Sequence, residues 1–358
     1  MRWFVATVVG IFAVAPLSGA AATSVVATGF VAVTTGSGSL QISSFRLDGS
    51  GERRLTTGPA NHHYPSVSPD GTRLLYTGDE GGMDEIYELN LAHPAVPVRL
   101  TSPPLTANSA SWSPDGTSIV YSGLVPGSPA YQIFIADSNG VNSRPLTHTT
   151  DSGNAQPVFS PDGARVAYIN GREAAGSGPN GSTVSGIANR IWMIAADGSG
   201  SAALTPGPLD AYPAWLDAGT ILFARSTFLS QSSQVISVTL NGRERPASPV
   251  NQYLVEPRPL PGGRSYGATM ETGTELHLVR ISRADSSALA APSTSDFVID
   301  RLPIPPTDGS SFTVAWILSG SIAAPTQPAG YPALGLVGAG LLVLLLAGAT
   351  SFRAARGR

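Results

Sequence analysis

The tetrapeptide Ser-Pro-Asp-Gly occurs three times, at 68–71, 113–116 and 160–163, spaced 45 and 47 residues apart. Each copy follows a short apolar stretch ending in Val67, Trp112 or Phe159. Each precedes a strand-like run: Arg73–Thr77, Ser118–Ser122 or Arg165–Ile169. Self-similarity at a fixed period of this length demands a fold made of like units, none able to bury its apolar face alone. Two degenerate copies continue the series. Pro213–Gly219 keeps Trp215 and the turn, whereas Pro257–Gly263 keeps Pro261 and Gly263 without the Asp. Aligned three residues before the Ser, the copies sit at Pro65, Ala110, Pro157, Pro213 and Pro257, with spacings of 45, 47, 56 and 44.

A second marker runs between them. Leu55-Thr56, Leu100-Thr101, Leu146-Thr147 and Leu204-Thr205 each close a unit. Turn dipeptides precede the marker, clearest at Asp48-Gly49, Asn139-Gly140 and Asp197-Gly198, with Asn241-Gly242 in the fifth unit. They supply the positive φ that tight hairpins need. One unit is therefore four short strands, the signature of a β-propeller blade. The composition agrees: 40 Gly and 30 Pro with 42% hydrophobic and only 13% charged residues describe a turn-rich, core-forming chain and not a disordered one.

These motifs resemble those of the TolB-type propeller family, whose repeats carry the same aromatic-Ser-Pro-Asp-Gly turn and Asp-Gly-Ser…Leu-Thr ending. The resemblance covers roughly residues 25–320 and implies a fold, commonly of six blades, without specifying a function. One member of that family carries a smaller domain ahead of its propeller, whereas here the propeller is expected to begin almost directly after residues 1–22. Residues 28–57, with Phe30–Thr34 and Gln41–Arg46, form a unit lacking its first strand. Residues 312–320 resemble that strand, Trp316 standing where Trp112 and Trp215 stand. Pairing the two predicts an all-β, six-bladed propeller closed by its N- and C-terminal strands, leaving no open edge. Five complete blades with tails is the alternative.

The termini predict location. Met1-Arg2, the apolar run Trp3–Ala15 and the small residues after Pro16 read as a signal peptide over 1–22. Tyr331–Phe352 is 22 residues without a charge, followed by Arg353, Arg356 and Arg358. At about 1.5 Å per residue it is long enough to span a bilayer as a helix. Its basic end is expected to stay cytoplasmic. The organisation expected is a signal at 1–22, a propeller ectodomain at 25–320, a linker at 321–330, a transmembrane helix at 331–352 and a cytoplasmic tail at 353–358. Removal of the last segment by a transpeptidase is the alternative, although no Leu-Pro-x-Thr-Gly precedes it.

Cysteine is absent, which excludes disulfides, thiolate metal sites and Cys nucleophiles. All 21 basic residues are Arg; setting aside Arg2, Arg353, Arg356 and Arg358, 17 remain against 24 acids, a net −7. Such a surface is a poor match for nucleic-acid phosphates.

Within the turns, Asp70, Asp115 and Asp162 with Gly71, Gly116 and Gly163 read as structural, the carboxylate accepting nearby backbone N–H groups. Trp112, Phe159, Trp215 and Trp316 recur as inter-blade core. The turns are uniformly tight and define one face. The other face carries the irregular connections Gly123–Tyr131, Gly171–Arg190, Arg225–Gln234 and Ala290–Ser311, where binding is expected. Just before each innermost strand, Tyr64, Ser109, Gln156, Tyr212, Glu256 and Thr313 should rim the channel. His62, His63, Asn108 and Asp210 lie one or two positions earlier, so His62, His63, Asp210 and Glu256 are expected to converge near the mouth.

No Gly-x-Ser-x-Gly elbow, His-Glu-x-x-His or phosphate-binding glycine loop is present. No catalytic residue, metal or cofactor is therefore assigned. The expected function is a non-catalytic binding or scaffold propeller on the outer side of the cytoplasmic membrane, recognising a protein or envelope polymer. The alternative is a propeller enzyme, lyase- or lactonase-like, with a small-molecule or metal site at the channel mouth.

Overall fold

The computed structural model describes residues 30–35, 39–46, 50–94, 96–177, 183–226, 232–249, 252–260, 264–272, 275–284, 289 and 297–302. The expected signal peptide, linker, transmembrane helix, tail and closing strand at 312–320 lie outside these residues, as do Thr313 and Trp316. No helix among the described residues is long and apolar enough to cross a membrane.

Every described element is a strand, and the strands fall into six consecutive meanders. The first sheet has three: β1 (Phe30–Thr35), β2 (Gln41–Arg46) and β3 (Arg53–Arg54). The second comprises β4 (His62–Val67), β5 (Arg73–Gly78), β6 (Glu85–Asn90) and β7 (Val98–Arg99). The third is β8 (Thr106–Trp112), β9 (Ser118–Leu124), β10 (Gln132–Asp137) and β11 (Arg144–Pro145). The fourth is β12 (Gly153–Phe159), β13 (Arg165–Ser177), β14 (Thr183–Ala195) and β15 (Ala202–Ala203). The fifth is β16 (Asp210–Asp217), β17 (Thr220–Ser226), β18 (Ser233–Thr239) and β19 (Glu244–Pro246). The sixth is β20 (Tyr253–Pro259), β21 (Ser265–Thr272), β22 (Glu275–Arg283) and β23 (Phe297–Arg301), meeting the fifth through one parallel bridge, Ser233 to Tyr253.

Two of the connections read as irregular are partly strand. β13 and β14 stay in register out to Ser177 and Thr183, so much of Gly171–Arg190 is a two-stranded ribbon. β23 lies inside Ala290–Ser311 and pairs with β22.

The core lies between sheets. Leu75 and Ile86 of the second pack with Ala107, Trp112, Tyr121 and Phe134 of the third. Val120 and Ile133 meet Val166, Tyr168 and Ile194 of the fourth. Ala167 and Ile169 meet Ile221, Phe223 and Val238 of the fifth, and Leu222 and Val235 meet Leu254, Tyr266 and Ile281 of the sixth. The second strand of each unit is thus covered on both faces, which is why Leu74-Leu75-Tyr76 is apolar without alternation. Sheets stacked face to face in chain order around their first strands are the architecture of a β-propeller.

The repeat motifs hold this stack. In the first turn Ser68 Oγ donates to Asp70 Oδ1 (2.5 Å), which also accepts the Thr72 N–H (3.0 Å). Gly71 at φ 71° completes the reversal. Ser113–Asp115 and Ser160–Asp162 repeat the bond at 2.6 and 2.5 Å. Arg73 then crosses to the next blade, donating to the Gly116 carbonyl (3.2 Å) under cover of the Trp112 ring. Each Leu-Thr threonine caps the strand before the short outermost one of its own sheet: Thr56, Thr101, Thr147 and Thr205 accept the N–H of Ile42, Ile86, Ile133 and Ile191 at 2.8–2.9 Å. Ser248 does the same for Val235 at 3.0 Å, so Ala247-Ser248 is the fifth, disguised copy of the marker.

Candidate functional site: the central channel

The first strands β4, β8, β12, β16 and β20 each break their ladder at an equivalent position (β16 breaks a second time, between Trp215 and Asp217), and a residue in that break adopts a left-handed conformation. These residues are Tyr64 (φ 52°), Ser109 (55°), Gln156 (52°), Tyr212 (56°) and Glu256 (53°). None is Gly or Asn, so each holds a conformation costing about 1–2 kcal/mol against packing. Neighbouring blades hold three of them there. Thr77 Oγ1 accepts the Ser109 N–H (3.2 Å), Ser122 Oγ the Gln156 N–H (3.2 Å) and Gln156 Oε1 the Tyr212 N–H (2.9 Å). The positions therefore lie within the innermost strands and not before them. The bulge turns their side chains inward.

Tyr64, Ser109, Gln156 and Tyr212 floor a cavity of about 370 Å³ walled by Ser66, Ser111, Val158, Ala214 and Arg258. It runs along the later half of the innermost strands and reaches the exposed Pro69, Pro114 and Pro161. Its mouth therefore opens on the Ser-Pro-Asp-Gly face, the one read from sequence as merely tight. Glu256 is fully buried beneath the floor, next to Tyr64, Tyr212 and Arg258. Burial first, then the Glu256 charge, raises both phenols well above the tyrosine range, so they remain proton donors. Burial lowers the Arg258 pKa, opposed by Glu256 and Tyr212.

Behind the floor, His63 Nε2 lies 3.9 Å from Asp84 Oδ2, with Asn108 beside the same carboxylate. Burial pushes the Asp84 pKa up and that of His63 down.

The expected convergence of His62, His63, Asp210 and Glu256 does not occur. His62 is buried between blades, bonded through Nδ1 to Gln41 Oε1 (2.9 Å) and through Nε2 to Glu80 Oε1 (2.7 Å). Asp210 accepts the Nε–H and Nη2–H of Arg225 (2.6 and 2.9 Å) and the Thr205 hydroxyl (2.5 Å) in another such seam. The bulge is the cause: it interrupts the two-residue alternation that would have put His62 on the same side as Tyr64, and Asp210 on that of Tyr212. Tyr64, Gln156, Tyr212 and Glu256 do come together, while His63 and Asn108 meet behind them. Among the described residues no group of three or more His, Cys, Asp or Glu could hold a metal ion. Arg258 had not been singled out. The signal for Arg258 was available, since it occupies the place held by the small or apolar Ser66, Ser111, Val158 and Ala214.

No family model matches the chain, and no curated protein matches it. Solved structures do. TolB from Acinetobacter baumannii aligns with a TM-score of 0.59 at 16% identity, over 82% of this chain and 67% of that one. A TolB-like protein of Agrobacterium tumefaciens aligns at 0.56 and 20% identity, over 75% and 90%. A chain of the nidogen/laminin complex aligns at 0.53 and 12% identity, over 77% and 99%. At these identities the similarity establishes a TolB-like β-propeller fold, and establishes that alone.

Proposed function

We propose that this protein is a non-catalytic binding propeller, held on the outer side of the cytoplasmic membrane by residues 331–352, which recognises a protein or envelope polymer through its central channel. The observation that carries the reading is the cavity: of five residues in the left-handed conformation, Ser109, Gln156 and Tyr212 are pinned by adjacent blades, and one tyrosine-floored chamber opens outward at Pro69, Pro114 and Pro161. Backbone strain concentrated around one cavity is the mark of a binding site more than of a packed core. Its size falls within the range of ligand sites, and its apolar walls carry a few polar groups that fix orientation.

Six-bladed closure is part of the proposal. Thr77 and Ser122 each hold the N–H of the next blade's left-handed residue. Thr269 occupies the same register in β21, is fully buried, and has no hydrogen-bond partner for Oγ1 among the described residues. Closure by residues 312–320, which lie outside the described residues, is proposed to take place beside that hydroxyl.

A photo-crosslinking amino acid placed at Ser66, on the channel wall, tests the recognition. In native membranes it should yield a discrete adduct that is absent when the same probe replaces Val98, on the exposed outer strand β7. Equal labelling from both positions would sink the channel as the recognition site. Deleting 331–358 should release the protein from the membrane fraction; retention would remove the proposed anchor.

A further inference from the structure

The cavity has a direction. Among the described residues Arg258 is the one charged side chain on its lining, and the polar groups that share the floor and wall with it include Tyr64, Gln156, Tyr212 and Ser66. The phenols keep their protons, and Gln156 uses Oε1 on the Tyr212 N–H, which leaves its Nε2 as the end presented to a ligand. The Glu256 carboxylate that balances Arg258 is fully buried and off the cavity surface. The interior therefore offers hydrogen-bond donors around a guanidinium in a partly desolvated chamber, the chemistry that recognises a carboxylate. The rim has the opposite sign: Asp70, Asp115 and Asp162 stand exposed on the turns that frame the mouth. A polyanion meets repulsion along this route, whereas a chain with a single negative charge at its leading end does not. From floor to mouth is about five strand residues, roughly 16 Å, along walls rich in proline.

We infer that the channel binds the C-terminal carboxylate of an extended, otherwise uncharged peptide segment, with Arg258 and Gln156 on the carboxylate and the apolar walls around the residues before it. The inference rests on the channel being the recognition site proposed above. The probe is a pool of N-acetylated tetrapeptides of uncharged residues, made once with a free C-terminal carboxylate and once as the carboxamide. Both pools are offered to the purified full-length chain, with an oligogalacturonate as a separate arm. Free acids are expected to be retained at least tenfold over amides. Arg258→Gln should bring them to the amide level. Gln156→Glu should do the same, because it keeps the acceptor for Tyr212 and so the fold, yet sets a negative charge where the ligand's would lie. Equal retention of acids and amides, undiminished binding by Gln156→Glu, no retention of either pool, or a preference for the oligogalacturonate would each overturn the inference. A Ser66 crosslink alongside equal acid and amide binding would overturn it while leaving the channel as the recognition site.

Discussion

Tyr212 donates its main-chain N–H to Gln156 Oε1 at 2.9 Å, across the seam between the fourth and fifth blades. In the second and third blades the corresponding acceptors are hydroxyls, Thr77 and Ser122, paired opposite His63 and Asn108. In the fourth blade that register holds Ile169, opposite Ala155, which cannot accept. The Gln156 side chain replaces the missing hydroxyl, so the strained ring is closed at this seam by one of its own members.

Gln156→Leu should accordingly strand the Tyr212 N–H and lower stability by about 1–2 kcal/mol. Adding Ile169→Thr rebuilds the acceptor found in the neighbouring blades and should recover part of the loss. Chemical denaturation of the two variants checks this. A double variant no more stable than Gln156→Leu would show that the bond does not hold the seam.

Gly140 and Gly242 occupy equivalent turns with nearly equal angles, φ 84° and 81°. A Cβ at Gly242 would lie 3.8 Å from the Leu204 carbonyl oxygen, in ordinary contact, whereas at Gly140 it would overlap the Leu100 carbonyl of the preceding blade. Both alanine substitutions incur a left-handed penalty of about 1 kcal/mol. Gly140→Ala should cost a further 1–3 kcal/mol or so from overpacking. Equal midpoints in urea for the two variants would contradict an interlocked Gly140.

What the residues disclosed in advance was local. Asp70, Asp115 and Asp162 act within two residues of themselves, and Asn139-Gly140 within one turn, so their spacing was enough to place them. The bulge was not legible, because Tyr64, Ser109, Gln156, Tyr212 and Glu256 share no chemistry that announces a positive φ; at Ser109, Gln156 and Tyr212 the bonds that hold it come from neighbouring blades. Alternation alone therefore carried His62 and Asp210 to the wrong place. The fifth Leu-Thr marker was hidden because Ala247-Ser248 keeps the hydroxyl that acts and changes everything else.

The turn acids set an acid limb on stability. Hydrogen bonds from Ser113 and the Thr117 N–H hold Asp115 below the ordinary carboxylate range, and Ser160 with the Ala164 N–H does so for Asp162. At Asp70 burial acts upward, but bonds from Ser68 and Thr72 outweigh it. A lowered folded-state pKa gives stability that is complete above the unfolded value, about 3.9, and is lost as pH falls through the lowered one. Asp210 has the opposite sign, because burial raises its pKa despite Arg225 and Thr205, and so it does not contribute to this limb. Replacing all three turn aspartates by Asn keeps an acceptor and removes the titration, so the decline below about pH 4 should flatten. An unchanged slope in denaturation midpoints across that window would refute the assignment.

Glu85 occupies the register that holds Gln41 in the first sheet and Gln132 in the third, the first residue of the strand before the outermost one. Those glutamines donate Nε2 to the carbonyls of Ala60 and Thr149, each at 2.7 Å. Glu85 has no such donor. Its Oε2 accepts from Arg99 (3.2 Å) and Tyr87 (3.3 Å), while Oε1 is buried without a hydrogen-bond partner among the described residues. The Arg99 partner is 47% exposed, and a pair with so wet a cation contributes little. A buried oxygen left unsatisfied costs about 1–3 kcal/mol. Glu85→Gln replaces that acceptor with the donor the other blades use, so it should be neutral or stabilising by about 1 kcal/mol even though it removes a salt bridge. Urea denaturation at low and high salt decides the matter. A loss exceeding about 1 kcal/mol that fades with added salt would mean that the ion pair, and not the unsatisfied oxygen, governs this seam.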